Sequence, residues 1–257
     1  MGLINNIKLY SEGIQISADK KEILSSFLLN GFPTTKDEEW KYTSLKKVIT
    51  NEYSVENKGE IIDSSVIEKY SLDLENRIIF SDGKLINTPT IKGVSIIGFT
   101  EFESTTTDSI LQLNKALSQN GFTISVDKNT RVENPIEILF FSTAENSFSQ
   151  YRNQISIGEN SEVKFVERIQ NLNNSASFVN NFTQINCAKN TKSEYNKIQN
   201  NTAESQLIDT VNVYQEQDST CNINTLIFGG SFTRNNLNFE QNGSNCESNM
   251  NGVSVLN

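Results

Sequence analysis

The chain has 257 residues, 36% of them hydrophobic, a mean hydropathy of −0.43, a formal net charge of −9 and no histidine. That length can bury a sizeable core, and the composition is poor for a compact α/β enzyme but too apolar for a disordered chain. The acidic balance, with no clustered basic face, excludes a nucleic-acid binder, and the missing histidine removes the commonest general base and neutral metal ligand.

In chain order, the first seventy or so residues read as helical. Met1 to Asn6 lacks the charged-then-apolar plan of a signal peptide, and no apolar run approaches the roughly 18 residues of a membrane span. Ile23, Leu24, Phe27 and Leu28 share one helical face, with Ser17 or Asp19 as cap. Gly31 suits the left-handed residue that ends a helix, and Pro33 cannot continue one. Thr35 and Glu38 then predict a capping box opening a new helix. Leu45, Val48 and Ile49 continue a helical stripe, and Val66, Ile67 and Tyr70 predict another short helix.

Near residue 77 the period changes. Ile78 to Phe80, the turn Ser81-Asp82-Gly83-Lys84, and Leu85-Ile86 predict a hairpin. Gly93 to Phe99 reads as a strand, and Asp108 caps a helix carrying Ile110, Leu111, Leu113 and Leu117 that ends by Gly121. Beyond Phe122 only short alternating strands follow: Phe122 to Val126, Ile136 to Phe141, Ile155/Ile157, Val163/Phe165, Phe182 to Cys187, Val211/Val213, Ile223 to Phe228, Leu237/Phe239 and Val253/Val255. They return about every 20 to 25 residues between polar turns rich in asparagine, which tolerates left-handed backbone. The fold class expected is mainly β: a right-handed parallel β-helix over 121–257, preceded by an N-terminal helical and α+β region over 1–120.

Few residues offer chemistry. No G-x-x-x-x-G-K-[ST] loop exists, so ATP hydrolysis is not expected, and Gly229-Gly230 reads as a solenoid corner. The three cysteines, odd in number and widely spaced, give no disulfide framework and suggest a reducing, cytoplasmic setting. Cys187 falls on the inward face of its strand as a small buried hydrophobe. Cys221 and Cys246 lie 25 residues apart, near one turn of the solenoid, so they are weak candidates for a stacked thiolate pair that binds a soft metal. Asp209 and Glu216 read as part of a solvated polar face.

Pro33-Thr34-Thr35-Lys36-Asp37-Glu38-Glu39-Trp40-Lys41-Tyr42-Thr43 resembles the N-terminal signature of SufD-type proteins, scaffold subunits of the SUF iron–sulfur cluster assembly machinery. Leu113-Asn114-Lys115-Ala116-Leu117 with Gly121 to Ile124, Asn134 to Ile138, Arg152 with Ile155 to Ser161, and Gly229 to Leu237 with its Arg234 are similar to further motifs of the same family, in the same order. The resemblance implies a non-catalytic scaffold with no resident cofactor and a transient Fe–S cluster in the assembled complex. It further implies a SufB-like partner and a SufC-like ATPase that hydrolyses ATP. The family pattern would continue past Asn257 with a histidine-bearing stretch, further rungs and the C-terminal helices that dock the ATPase. The chain is therefore expected to be a C-terminally truncated member with an exposed terminal edge, prone to aggregate or to need a partner. A SufB-like paralogue is the nearest alternative. A carbohydrate-active β-helix would need a secretion signal and an acidic groove, and a structural solenoid module would need near-identical repeats.

Overall fold

The computed structural model describes residues 2–55, 62–104 and 106–255. Among the described residues five α-helices, α1 (Leu3–Gly13), α2 (Ala18–Asn30), α3 (Lys46–Thr50), α4 (Ser64–Tyr70) and α5 (Ser109–Leu117), accompany thirteen strands. The hairpin β1 (Asn76–Ser81) and β2 (Lys84–Asn87) and the strand β3 (Val94–Gly98) precede α5. The remaining strands are β4 (Phe122–Val126), β5 (Ile136–Ser142), β6 (Phe148–Ile157), β7 (Glu162–Asn171), β8 (Ser177–Cys187), β9 (Lys192–Asn201), β10 (Ser205–Gln215), β11 (Thr220–Gly229), β12 (Phe232–Gln241) and β13 (Glu247–Val255). The expected terminal strand is thus present as far as Val255, and its Leu256 lies outside the described residues.

Successive strands alternate between two sheets. One has the order β13-β11-β9-β7-β5-β1-β2, the other β12-β10-β8-β6-β4-β3. From β4 and β5 onward all pairing is parallel, giving a β-solenoid of about 5 turns in which each turn contributes one strand to each sheet. The antiparallel strands β2 and β3 close the first turn, so neither sheet begins with an exposed parallel edge.

The repeat is longer than the sequence spacing suggested. Phe148 pairs with Phe178, 30 residues on, and Thr210 pairs with Asn236, 26 residues on. Strand β9 lies between the expected strands at Phe182 and Val211, where the apolar pattern predicts none. Between its inward Ser193, Tyr195, Lys197 and Gln199 it carries hardly any apolar residues, so its period-2 pattern is invisible to hydrophobicity.

Each turn passes one corner in left-handed backbone. Asn129, Asn160, Asn190, Asp218 and Asn245 occupy it with φ between 57° and 62°. Their side chains form a ladder: Asn160 Nδ2 donates to Asn129 Oδ1 at 3.0 Å, Asn190 Nδ2 to Asn160 Oδ1 at 3.0 Å, and Asn245 Nδ2 to Asp218 Oδ1 at 2.9 Å. The asparagine abundance therefore has a structural use, because other side chains meet a steric penalty at this φ.

The helices lie on the outer faces. The expected stops and caps at Gly31, Ser17 and Asp108 are present. The capping box is not: Asp37 accepts from the Thr34 N–H at 2.6 Å, and a single 3₁₀ turn, Glu38–Trp40, replaces the helix. That tight turn aims Trp40 inward, where it is 3% exposed. Leu3, Ile7, Leu24, Phe27, Trp40 and Leu113 pack with Phe148, Phe178 and Ile208 from the outer face of the six-stranded sheet. Ile67 and Tyr70 on α4 cover Ile79, Leu139 and Phe141 on the outer face of the other.

Candidate functional site

Two arginines join the N-terminal segments to the solenoid. Phe182 stands opposite Arg152 in the neighbouring turn of the same sheet, Arg152 on β6 and Phe182 on β8, both pointing outward. The Arg152 guanidinium lies against both Phe102 (4.4 Å) and Phe182 (4.7 Å), whose ring centroids are 6.1 Å apart; it bonds Ser104 Oγ and donates to Asn114 Oδ1 at 3.4 Å. Burial lowers its pKa to about 10, only partly opposed by Glu101 and Glu103. Arg234 on β12 lies 4.1 Å from the Trp40 ring and donates to Thr43 Oγ1 at 3.1 Å and to Asn236 Oδ1 at 2.9 Å. Both arginines belong to the motifs picked out in the sequence, and Arg234 meets the tryptophan of another. Beside this contact a cleft of about 580 Å³ runs between Glu39, the start of α5 at Asp108, and Thr210, Arg234 and Asn238 on the sheet.

Inside the solenoid lies a charge cluster. Register stacks Ile138, Glu167, Lys197 and Thr225 in one inward column, facing Tyr151, Asn181, Asp209 and Asn235 on the other sheet. Lys197 Nζ is 2.8 Å from Glu167 Oε1 and 2.7 Å from Asp209 Oδ2, and all three residues are at most 1% exposed. The carboxylates are further satisfied by Tyr195 Oη (2.8 Å to Glu167), Asn181 Nδ2 (3.1 Å to Asp209) and Gln199 Nε2 (2.9 Å to Asp209). Burial works against the Lys197 ammonium, yet Asp209 and Glu167 outweigh it and hold its pKa above the usual value. Burial, helped by Glu167 and resisted by Lys197, raises the Asp209 pKa. Burial and the Glu167 charge push the Tyr195 phenol well up. One cation between two carboxylates leaves a residual negative charge, spread over donors and capable of holding a proton away from solvent.

This corrects the reading of Asp209 as part of a solvated face: it points into the core between Leu207 and Val211. Sequence reasoning missed the whole cluster, although Phe165-x-Glu167-x-Ile169 and Leu207-x-Asp209-x-Val211 carry the signal, a charge on the inward phase of a strand.

The structure places the cysteines differently from the expected stack. Cys221 pairs in register with Ser193 and Ser248, whereas Cys246 lies against Ser219, 3.9 Å from its Oγ. The turn here is 27 residues long, so a 25-residue separation puts Cys246 short of Cys221 at the corner. Cys221 instead neighbours Cys187, whose Sγ is 3.6 Å from Ser193 Oγ. Among the described residues no group of three or more Cys, Asp or Glu could hold a metal ion, and no helix is long and apolar enough to cross a membrane.

Fold and junctions together define a parallel β-solenoid with helices latched to its outer faces. Residues 7–80 match the family model described as the SufBD protein N-terminal region, and residues 140–257 match that of the SUF system FeS cluster assembly SufBD core domain. The chain belongs to the SufBD family. It is similar to the iron–sulfur cluster assembly protein SufD of Escherichia coli (strain K12), with 24% identity over 260 residues. That alignment covers 95% of this chain and 60% of the relative, so the chain spans less than two thirds of its relative's length.

Proposed function

We propose that the chain acts as a SufD-like, non-catalytic scaffold subunit in iron–sulfur cluster assembly, in the cytoplasm, beside a SufB-like subunit and a SufC-like ATPase. The observation that carries this reading is the Trp40–Arg234 contact, which joins the N-terminal signature to the core motif. It makes one body of the two family regions, helices held against a solenoid. The likeness to SufD favours that paralogue over SufB. ATP hydrolysis falls to the partner, since this chain carries no phosphate-cradling loop. The Fe–S cluster is cargo in this scheme, formed transiently in the assembled complex.

The test is co-expression of the tagged 257-residue chain with SufB-like and SufC-like subunits from an organism that carries them, followed by affinity capture and size-exclusion chromatography. Co-elution with the SufB-like subunit is expected. A chain that elutes alone, folded by circular dichroism, sinks the reading.

A further inference from the structure

The charge cluster inside the solenoid has one carboxylate more than it has cations. Glu167 Oε1 and Asp209 Oδ2 share the single Lys197 ammonium at 2.8 and 2.7 Å, and none of the three residues is more than 1% exposed. Among the described residues, the charged or titratable groups turned to this space are Glu167 from β7, Lys197 and Tyr195 from β9, Asp209 from β10 and Tyr151 from β6. The strands β5, β8, β11 and β12 face it with the neutral Ile138, Asn181, Thr225 and Asn235. With both carboxylates ionised, the enclosed group therefore carries one net negative charge in a space closed to solvent. Asn181 and Gln199 donate to Asp209, and Tyr195 donates to Glu167, which lowers the cost of that charge without cancelling it. Two carboxylates in one buried site ionise together only at a penalty, and it is Asp209 that burial and the Glu167 charge push upward against the pull of Lys197.

We propose that Glu167, Lys197 and Asp209 form a proton-binding site that tightens the solenoid in mild acid, Asp209 taking one proton from solvent so that the enclosed group becomes neutral. The site ties β7 and β9 of one sheet to β10 of the other, so its strength is felt as the grip between the two sheets. The direction of the effect follows from where the proton is held. An unfolded aspartate ionises near pH ~4. Between that value and the higher one in the folded chain, the folded state keeps a proton that the unfolded state has released. The contribution is therefore complete below about pH 4 and is lost as pH rises through the folded value. Exposed carboxylates act in the opposite sense: the Ser65 N–H holds Asp63 below the usual range, which favours the folded chain as pH rises. The proton site is independent of the role in cluster assembly and stands or falls separately.

The test compares urea unfolding of the full 257-residue chain with that of Asp209→Asn and of Glu167→Gln, at steps between about pH 4 and pH 8. Each substitution keeps the shape of the side chain and removes one carboxylate, leaving Lys197 with a single charged partner. Taking the ratio to a variant cancels the exposed carboxylates, which all three chains share. As pH rises, the folding constant of the parent is expected to fall relative to that of either variant, by up to about tenfold per pH unit within the window. Parallel profiles overturn the proposal, and so does a parent that gains on the variants as pH rises. Should neither variant fold, infrared spectra of the parent decide. The C=O band of a protonated carboxyl is expected to persist in the folded chain above about pH 6, where exposed carboxylates have ionised, and to vanish on thermal unfolding. A folded chain without that band overturns the proposal.

Discussion

Lys197 is the residue on which the interior most depends. Replacing it with methionine leaves Glu167 and Asp209 facing each other without a cation, in a space closed to water. We expect Lys197→Met to lose roughly 3–5 kcal/mol in urea unfolding, and the triple variant Lys197→Met/Glu167→Gln/Asp209→Asn to recover most of it, because breaking a buried pair costs far more than replacing it whole. Equal losses in both variants would show that shape rather than charge is at stake. The buried phenols make a second prediction at this scale. Burial raises Tyr53 and Tyr151 to about 12 and lifts Tyr195 in the same direction. Unfolded tyrosines ionise near 10. Between these values the folded chain therefore holds protons that the unfolded chain has released, and stability falls as pH rises. Tyr151 alone contributes a slope of about 1.4 kcal/mol per pH unit in that window. Urea midpoints between pH 9 and 12 check the trend, which Tyr151→Phe should flatten; a flat profile for the unsubstituted chain contradicts it.

At the level of elements, the latch between the 3₁₀ turn and β12 is the feature to test. Trp40→Ala removes a buried ring together with its contact to the Arg234 guanidinium, and we expect a loss of roughly 3–5 kcal/mol. Arg234→Lys keeps the charge but loses the flat stack and the fork to Thr43 and Asn236, with an expected loss of roughly 1 kcal/mol. Thermal melts of both variants give the order, and a Trp40→Ala chain as stable as the parent would remove the latch from the account. Much at this scale was legible in the sequence: the Asp82-Gly83 hairpin, the Asp108 cap and the strands with two or more inward aliphatics all form where their residue types say they should. The missing capping box and the overlooked β9 share a cause. Thr35 and Glu38 have the right types, but Asp37 competes for the same turn and the burial of Trp40 decides between them. On β9 the inward face is polar, because it supplies the cation of the interior cluster. Local pattern cannot show a preference that exists only once the two sheets face each other. For the same reason the cluster itself went unseen, though each member had the correct phase.

For the whole molecule, the arrangement of thiols bears on whether the chain can carry a cluster alone. Cys187 and Cys221 are buried among Ser193, Val213 and Ile223, while Cys246 is turned to the corner carbonyls of Glu216 and Gly243. Anaerobic incubation of the isolated chain with ferrous iron and sulfide is expected to leave no cysteine-dependent chromophore after desalting. A stable visible band lost on Cys221→Ser would falsify this. The parallel pairing has a kinetic side as well. Nearly all sheet contacts join residues 26 or more apart, so each turn needs its neighbour in place before it gains any pairing, and folding should be slow for the chain's size.

The left-handed corner stack has one more consequence, which concerns error. Strand register in a parallel solenoid has few natural marks, since one polar turn looks much like another. Here each coil places at this corner a residue that accepts the left-handed conformation with ease, followed at once by one that does not: Thr130, Ser161, Thr191, Ser219 and Cys246 succeed Asn129, Asn160, Asn190, Asp218 and Asn245. A coil laid down one residue out of step would force a hydroxyl or thiol residue into the strained conformation, break the amide rail and turn every inward side chain outward at once. The corner thus works as a phase mark, rewritten on every coil, that makes a misthreaded chain unstable at the first turn where it goes wrong.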